Sequence, residues 1–154
     1  MPSRTALIVP VPGADELVVD GPPGVGAHVT VLAWFLDPAN VDETAIADVL
    51  APFPAFAFEL DSVGHFADGT TWLHPEPSQP FADLTNAVWR RWPECPPYGL
   101  LHDAVVPHLT IATAPVDVDA VLPIRCRATE VHLLQEDAGG VFRVRRRFPL
   151  QGVA

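Results

Sequence analysis

Two stretches of the sequence share one pattern: Ala27-His28-Val29-Thr30-Val31-Leu32 and, later in the chain, Pro107-His108-Leu109-Thr110-Ile111-Ala112. Each contains histidine, an aliphatic residue, threonine and another aliphatic residue, inside an apolar run typical of a β-strand. Side chains two residues apart on a strand leave the same face. The histidine and threonine of each stretch are therefore expected on one face, and the aliphatic residues on the face that fills the core.

The polar faces of these two strands carry the candidate catalytic residues, which are His28, Thr30, His108 and Thr110. Buried imidazoles and hydroxyls need hydrogen-bond partners, so we expect these faces to line a cleft. Two imidazoles on either side of one phosphate supply a general base and a general acid, because histidine titrates near neutral pH. The threonine hydroxyls donate to the non-bridging phosphate oxygens. This chemistry needs no metal and no cofactor.

Two other interpretations of the histidines are weighed against this one. A single histidine on a strand is more often a core residue whose hydrogen bonds are satisfied, but a matched pair is less easily explained in that way. Zinc binding by His28, His74, His102 and His108 is the second alternative. Their spacing matches no known zinc pattern, so no metal site is predicted.

The two motifs, together with their flanking sequence, resemble the two-histidine (2H) phosphoesterase superfamily, which includes the 2′-5′ RNA ligase and cyclic phosphodiesterase proteins. The lead-in Pro96-Pro97-Tyr98-Gly99 and the segment Trp72-Leu73-His74-Pro75-Glu76-Pro77, ahead of a helix beginning near Phe81, add to the resemblance. It implies an α+β fold of two pseudo-symmetric lobes, each an antiparallel sheet with a helix, flanking a central cleft. It also implies that the two histidines are the acid–base pair and that the two threonines bind phosphate.

The resemblance implies hydrolysis of a small cyclic phosphodiester, such as a nucleoside 2′,3′-cyclic phosphate or an RNA end carrying one. A 2′-5′ RNA ligase activity in the same cleft and a non-catalytic module that binds a phosphorylated ligand are the alternatives. Trp34 is an even number of residues from His28 and Thr30, so on a continuous strand its side chain leaves the same face. Its indole is therefore a candidate to stack on a nucleobase, and the alternative is that it packs under a loop. Tyr98 is a second candidate substrate contact, with a structural loop residue as the alternative.

Composition limits the partners and the location of the protein. A chain of 154 residues is expected to form one domain, residues 1–154. The net charge is −10 and all nine cationic residues are arginines, so small nucleotides or short RNA ends are expected as partners rather than long nucleic acid. No apolar run approaches the roughly 20 residues of a membrane span, and no signal-peptide pattern is present. A cytoplasmic location is therefore expected.

The remaining patterns predict the order of the secondary structure. A loop over residues 12–27 stands where the family pattern has a helix. Cys95 and Cys126 are expected to be free thiols. The last strand is expected to carry Arg143, Arg145 and Arg147 on one face. The strands are predicted at residues 6–11, 27–35, 56–60 with a continuation over 63–66, 70–73, the second motif, 124–135 and 141–150, and the helices at 41–50, 79–92 and 117–122.

Overall fold

The computed structural model of the chain describes residues 4–97 and 106–151. Those residues form strands and α-helices in an order that agrees with the sequence patterns. In chain order these elements are β1 (Thr5–Pro10), β2 (His28–Leu32), α1 (Glu43–Leu50), β3 (Phe56–His65), β4 (Thr71–Glu76), α2 (Gln79–Arg91), β5 (Leu109–Ala112), β6 (Ile124–Ala128), β7 (Glu130–Glu136) and β8 (Phe142–Pro149).

The strands form two four-stranded antiparallel sheets, which we call sheet 1 and sheet 2. Sheet 1 has the order β2-β1-β7-β8, and sheet 2 has the order β5-β4-β3-β6. The motif strands β2 and β5 are both edge strands, and they contact each other across the boundary between the sheets. This is the expected two-lobed α+β fold. Neither lobe is a contiguous half of the chain, because sheet 1 combines the first two strands with the last two.

One hydrophobic core lies behind both motif strands. Val29 and Val31 of β2 and Leu109 and Ile111 of β5 are 0–2% exposed and belong to the same core cluster. The apolar side of α2 closes this core, and α2 packs against both β2 and α1. The alternation predicted for both motif strands is therefore confirmed, and both polar faces point away from the shared core.

Two predicted elements and one predicted loop differ in detail from the structure. The strand predicted over residues 124–135 divides at Thr129, because β6 pairs with β3 in sheet 2 while β7 pairs with β1 in sheet 1. The predicted loop over residues 12–27 begins with a 3-10 helix, Pro12–Leu17. The short helix predicted over residues 117–122 is a 3-10 turn, Asp119–Val121.

The prediction that three late arginines share one face is wrong. The ladder between β7 and β8 shifts by one residue at Arg145, which lies between the paired residues of the ladder. Arg143 lies opposite Gln135, whereas Arg147 lies opposite His132. Gln135 and His132 are three residues apart on β7, so their side chains leave opposite faces. The bulge therefore puts Arg147 on the face of sheet 1 that carries His28.

Both cysteines are free thiols, as expected. Burial raises the pKa of Cys95 and Cys126, which disfavours the reactive thiolate at neutral pH. Among the helices of the described residues, none is long and apolar enough to cross a membrane.

Candidate active site

Strand β2 presents His28 and Thr30 on the open face of sheet 1. Both side chains are half-buried, and β1 lies beside them with Pro10 opposite His28 and Ile8 opposite Thr30. The two motif side chains line a cavity of about 100 Å³. Its other walls include Ile8, Trp34 and Phe142. A small anionic group entering this cavity would meet an imidazole and a hydroxyl side by side.

The hydrogen bond at Nδ1 determines which nitrogen of His28 is presented for chemistry. Nδ1 lies 2.8 Å from the carbonyl oxygen of Gly26. A carbonyl only accepts, so Nδ1 carries the proton and Nε2 of the neutral ring is left with its lone pair. Burial lowers the pKa of His28, and the bond to Gly26 opposes that effect only in part. His28 is therefore predominantly neutral at pH 7 and suited to accept a proton.

The second motif repeats this arrangement on sheet 2. His108 Nδ1 donates to the carbonyl oxygen of Val106 at 2.6 Å, so proton exchange with a ligand again falls to Nε2. Two aromatic rings flank the imidazole edge-on: Phe66 at 5.0 Å and Trp72 at 5.9 Å between ring centroids. Trp72 also pairs with Thr110 across β4 and β5. The aromatic contacts limit how far the His108 ring can rotate.

Gly64 on β3 makes room for the Trp72 indole. It lies opposite Trp72 in the β3–β4 ladder. A Cβ added at Gly64 would stand 2.3 Å from Cζ2 of that ring, which is closer than real Cβ contacts come. The indole therefore lies directly across the backbone of β3, stacked on Phe66 at 5.3 Å. A side chain at residue 64 would push it toward His108 or out of the stack.

The two motif strands are connected through the loop that precedes β2. Val19 N–H donates to the Ile111 carbonyl at 2.7 Å. Asp20 accepts from both the backbone N–H and the hydroxyl of Thr113, at 2.9 and 3.0 Å. The segment that leads into the first motif is therefore bonded to the end of the strand that carries the second. The motifs, far apart in sequence, are adjacent in the fold.

Trp34 stands in the wall of the His28 cavity. Its side chain is 49% exposed, and its indole stacks on Phe142 with centroids 5.7 Å apart and planes 10° apart. The guanidinium of Arg4 lies 4.0 Å from the ring centroid, within cation–π range. The other predicted substrate contact, Tyr98, lies outside the described residues, and so does His102.

Sequence reasoning left His74 uninterpreted. The β4–β5 register pairs Trp72 with Thr110 and Leu73 with Leu109. The His74 ring centroid lies 6.4 Å from that of Trp72, and Trp72 also contacts the His108 ring. His74 Nε2 lies 3.3 Å from a carboxylate oxygen of Glu76. The sequence did not indicate which strand pairs with β4.

The described part of the chain contains no group of three or more histidine, cysteine or acidic side chains placed to hold a metal ion. The zinc alternative needs His28, His74 and His108 to converge with His102. Each motif histidine bonds a backbone carbonyl through Nδ1, so only its Nε2 could reach a shared ion.

Comparison with known proteins agrees with the fold described above. The family model of the 2′-5′ RNA ligase superfamily matches residues 16–140. No curated protein matches the sequence well enough to count as a relative. Among solved structures, a protein described as a phosphoesterase superposes with a TM-score of 0.68 at 19% identity, covering 98% of this chain and 99% of its own.

Two further solved structures have the same fold. E. coli LigT complexed with 3′-AMP gives a TM-score of 0.68 at 19% identity, covering 97% of this chain and 99% of its own. The protein TT0787 of Thermus thermophilus gives 0.63 at 18% identity, covering 98% and 100%. At these identities the superpositions establish the shared fold, while the family match rests on the sequence.

Proposed function

The chain belongs to the 2′-5′ RNA ligase superfamily, and from this premise we propose that it is a metal-independent phosphodiesterase of the 2H type. Its substrate is a small cyclic phosphodiester, either a nucleoside 2′,3′-cyclic phosphate or an RNA end carrying one. The observation that carries the proposal is the matched pair of Nδ1–H bonds, from His28 to Gly26 and from His108 to Val106. Each bond orients one imidazole and assigns proton transfer to its Nε2.

The reaction assigns one proton transfer to each histidine. Water attacks phosphorus and gives its proton to Nε2 of neutral His28. The bond from phosphorus to one ribose oxygen breaks, and protonated His108 gives its Nε2 proton to that oxygen. The products are a ribose hydroxyl and a 2′- or 3′-phosphomonoester. His28 is assigned as the base because burial lowers its pKa and so favours its neutral form.

Thr30 and Thr110 bind the phosphate in this proposal. Each lies two residues beyond its histidine and leaves the same strand face. A hydroxyl in that place donates to a non-bridging oxygen, where negative charge builds up in the transition state. Trp34 in the cavity wall supplies an exposed indole for stacking of the nucleobase. E. coli LigT has been solved with 3′-AMP, a nucleotide of the kind that this reaction would release.

The decisive experiment is a turnover assay with a panel of nucleoside 2′,3′-cyclic phosphates, in the presence and absence of a chelator. We expect turnover that the chelator does not change. His28→Ala and His108→Ala should each reduce kcat by about 10²–10⁴-fold, the usual contribution of a general acid or base. The fold of each variant is checked by circular dichroism and thermal unfolding.

Three outcomes would contradict the proposal. Turnover that survives both substitutions would exclude paired-histidine catalysis. Binding of the cyclic nucleotides without turnover would instead favour the non-catalytic module. If turnover is absent but 2′-5′ linked RNA is formed or cleaved, the same cleft works on RNA ends as a ligase-type enzyme.

A further inference from the structure

The open face of sheet 1 continues well beyond the first motif. A single row across the four strands contains Thr30, Ile8, His132 and Arg147. Neighbouring strands lie about 4.8 Å apart, so the Cα atom of Arg147 is roughly 14 Å from that of Thr30. A phosphodiester held between the motif residues is too small to reach the end of this row. A group bound there belongs to another part of the ligand.

A second cavity lies over the far end of this row. It has a volume of about 380 Å³ and adjoins the His28 cavity, because Ile8, Val25 and Leu134 line both. Arg147 reaches it from sheet 1, and Arg127 reaches it from β6 of sheet 2. The cavity therefore sits where the two lobes meet, on the same face as the first motif.

The two arginines of this cavity differ from the other late arginines in their pairing. Arg127 and Arg147 are exposed and form no ion pair or hydrogen bond with any side chain in residues 4–97 or 106–151. The remaining late arginines are all paired with carboxylates: Arg125 with Glu59, Arg143 with Asp137, and Arg145 and Arg146 with Glu43. Of the six arginines from residue 125 onward, only the two in the cavity have no carboxylate partner among the described residues, on a chain of net charge −10.

The carboxylates in the cavity are already engaged. Glu130 lies 2.6 Å from Nε2 of His132, which is 9% exposed. Asp15 accepts the backbone N–H of Ala27 at 2.8 Å and so helps to position the start of β2. Neither carboxylate bonds to Arg127 or Arg147. The guanidiniums are therefore the groups left to bind a ligand, and their forked donors match the oxygens of a phosphate.

We propose that Arg127 and Arg147 form a second phosphate subsite, which binds a phosphate of the ligand other than the one that reacts. This inference rests on the proposed function and narrows its substrate class to nucleotides or short oligonucleotides with a further phosphate, such as a 5′-phosphate. A nucleoside cyclic phosphate without a further phosphate would occupy only the His28 cavity. The subsite selects for the longer ligand by adding charge-assisted hydrogen bonds.

Equilibrium binding tests the subsite without relying on turnover. Calorimetric titration compares adenosine 3′,5′-bisphosphate with 3′-AMP, which differ only in the second phosphate. We expect the wild type to bind the bisphosphate about tenfold more tightly, a difference of roughly 1.4 kcal/mol. The double variant Arg127→Ala/Arg147→Ala should bind the two nucleotides with equal affinity, and its affinity for 3′-AMP should be that of the wild type.

A matched control removes two arginines from the same two strands. Arg125→Ala/Arg143→Ala takes the same charge from β6 and β8 but leaves the cavity intact, so the tenfold preference should persist. Equal affinity of the wild type for both nucleotides, no binding of either, or a preference that survives Arg127→Ala/Arg147→Ala would each overturn the subsite. Loss of the preference in Arg127→Ala/Arg147→Ala supports the subsite even if the protein does not turn over cyclic phosphates. The subsite and the proposed phosphodiesterase activity can therefore fail independently of each other.

Discussion

His28 and His108 are oriented by the same local device, a bond from Nδ1–H to the carbonyl two residues earlier. Their surroundings differ. His28 borders a small cavity whose walls include Ile8, Trp34 and Phe142, and burial lowers the pKa of His28 below the ordinary value of 6.5. His108 stands edge-on to Phe66 and Trp72. The motif therefore provides two similar imidazoles in different environments.

The lowered pKa of His28 predicts the acid limb of the pH–rate profile. If His28 is the base, kcat/KM should fall only below pH 6.5, with an apparent pKa under that value. The lowered pKa of His28 also makes stability depend on pH. At a pH between the pKa of His28 in the folded protein and its higher pKa in the unfolded chain, the unfolded chain binds more protons. The free energy of unfolding therefore decreases as the pH falls through this window.

Kinetics and urea unfolding across the range from mildly acidic to neutral pH check both parts of this prediction. His28→Gln keeps a polar side chain but cannot titrate, so its unfolding free energy should lose this pH dependence. An acid limb at or above the ordinary histidine pKa, or a pH dependence of unfolding identical in wild type and His28→Gln, would show that His28 does not titrate in this way.

At the scale of elements, the second motif depends on how β3, β4 and β5 stack their side chains. Gly64 allows the Trp72 indole to cover β3, and the indole in turn borders His108. Gly64→Ala should displace that ring, with a cost of about 1–3 kcal/mol in the free energy of unfolding. Because the His108 ring loses its edge-on neighbour, kcat should fall as well.

Gly13→Ala is the matched control for this change, because a Cβ at Gly13 meets nothing within 4 Å. Thermal unfolding and the cyclic phosphate assay compare the two variants, with tryptophan fluorescence reporting on the indole. Wild-type stability and wild-type kcat in Gly64→Ala would refute the proposed support of His108 by Trp72.

At the scale of the whole molecule, charge restricts the ligands. The chain carries a net charge of −10, and most of its late arginines are neutralised by carboxylates. Binding of long RNA needs many cation–phosphate contacts, which so few cationic residues supply poorly. We expect no binding of long single-stranded RNA at micromolar concentrations in low salt by mobility shift, while short nucleotides bind. Micromolar binding of long RNA with a steep salt dependence would contradict this expectation.

Strand periodicity accounts for how much was predictable from sequence. The alternation of Val29 and Val31 with His28 and Thr30 is a local property, so the motif faces could be assigned without a structure. The same holds for the apolar stripe of α2 and for most element positions. The sequence predicts one strand over residues 124–135 where the structure has β6 and β7. A run of strand-forming residues does not reveal where the hydrogen-bonding partner of the strand changes.

The sequence by itself determined the two motifs, their polar faces, the α+β class and the acidic charge, because each depends on residues close together in the chain or on simple composition. Only the tertiary structure decided that β2 and β5 are touching edge strands, that the β4–β5 register sets Trp72 opposite Thr110, and that a bulge places Arg147 on the same sheet face as the first motif. These features depend on strand register between distant segments. Register is set by the packing of the whole core, which no local pattern contains.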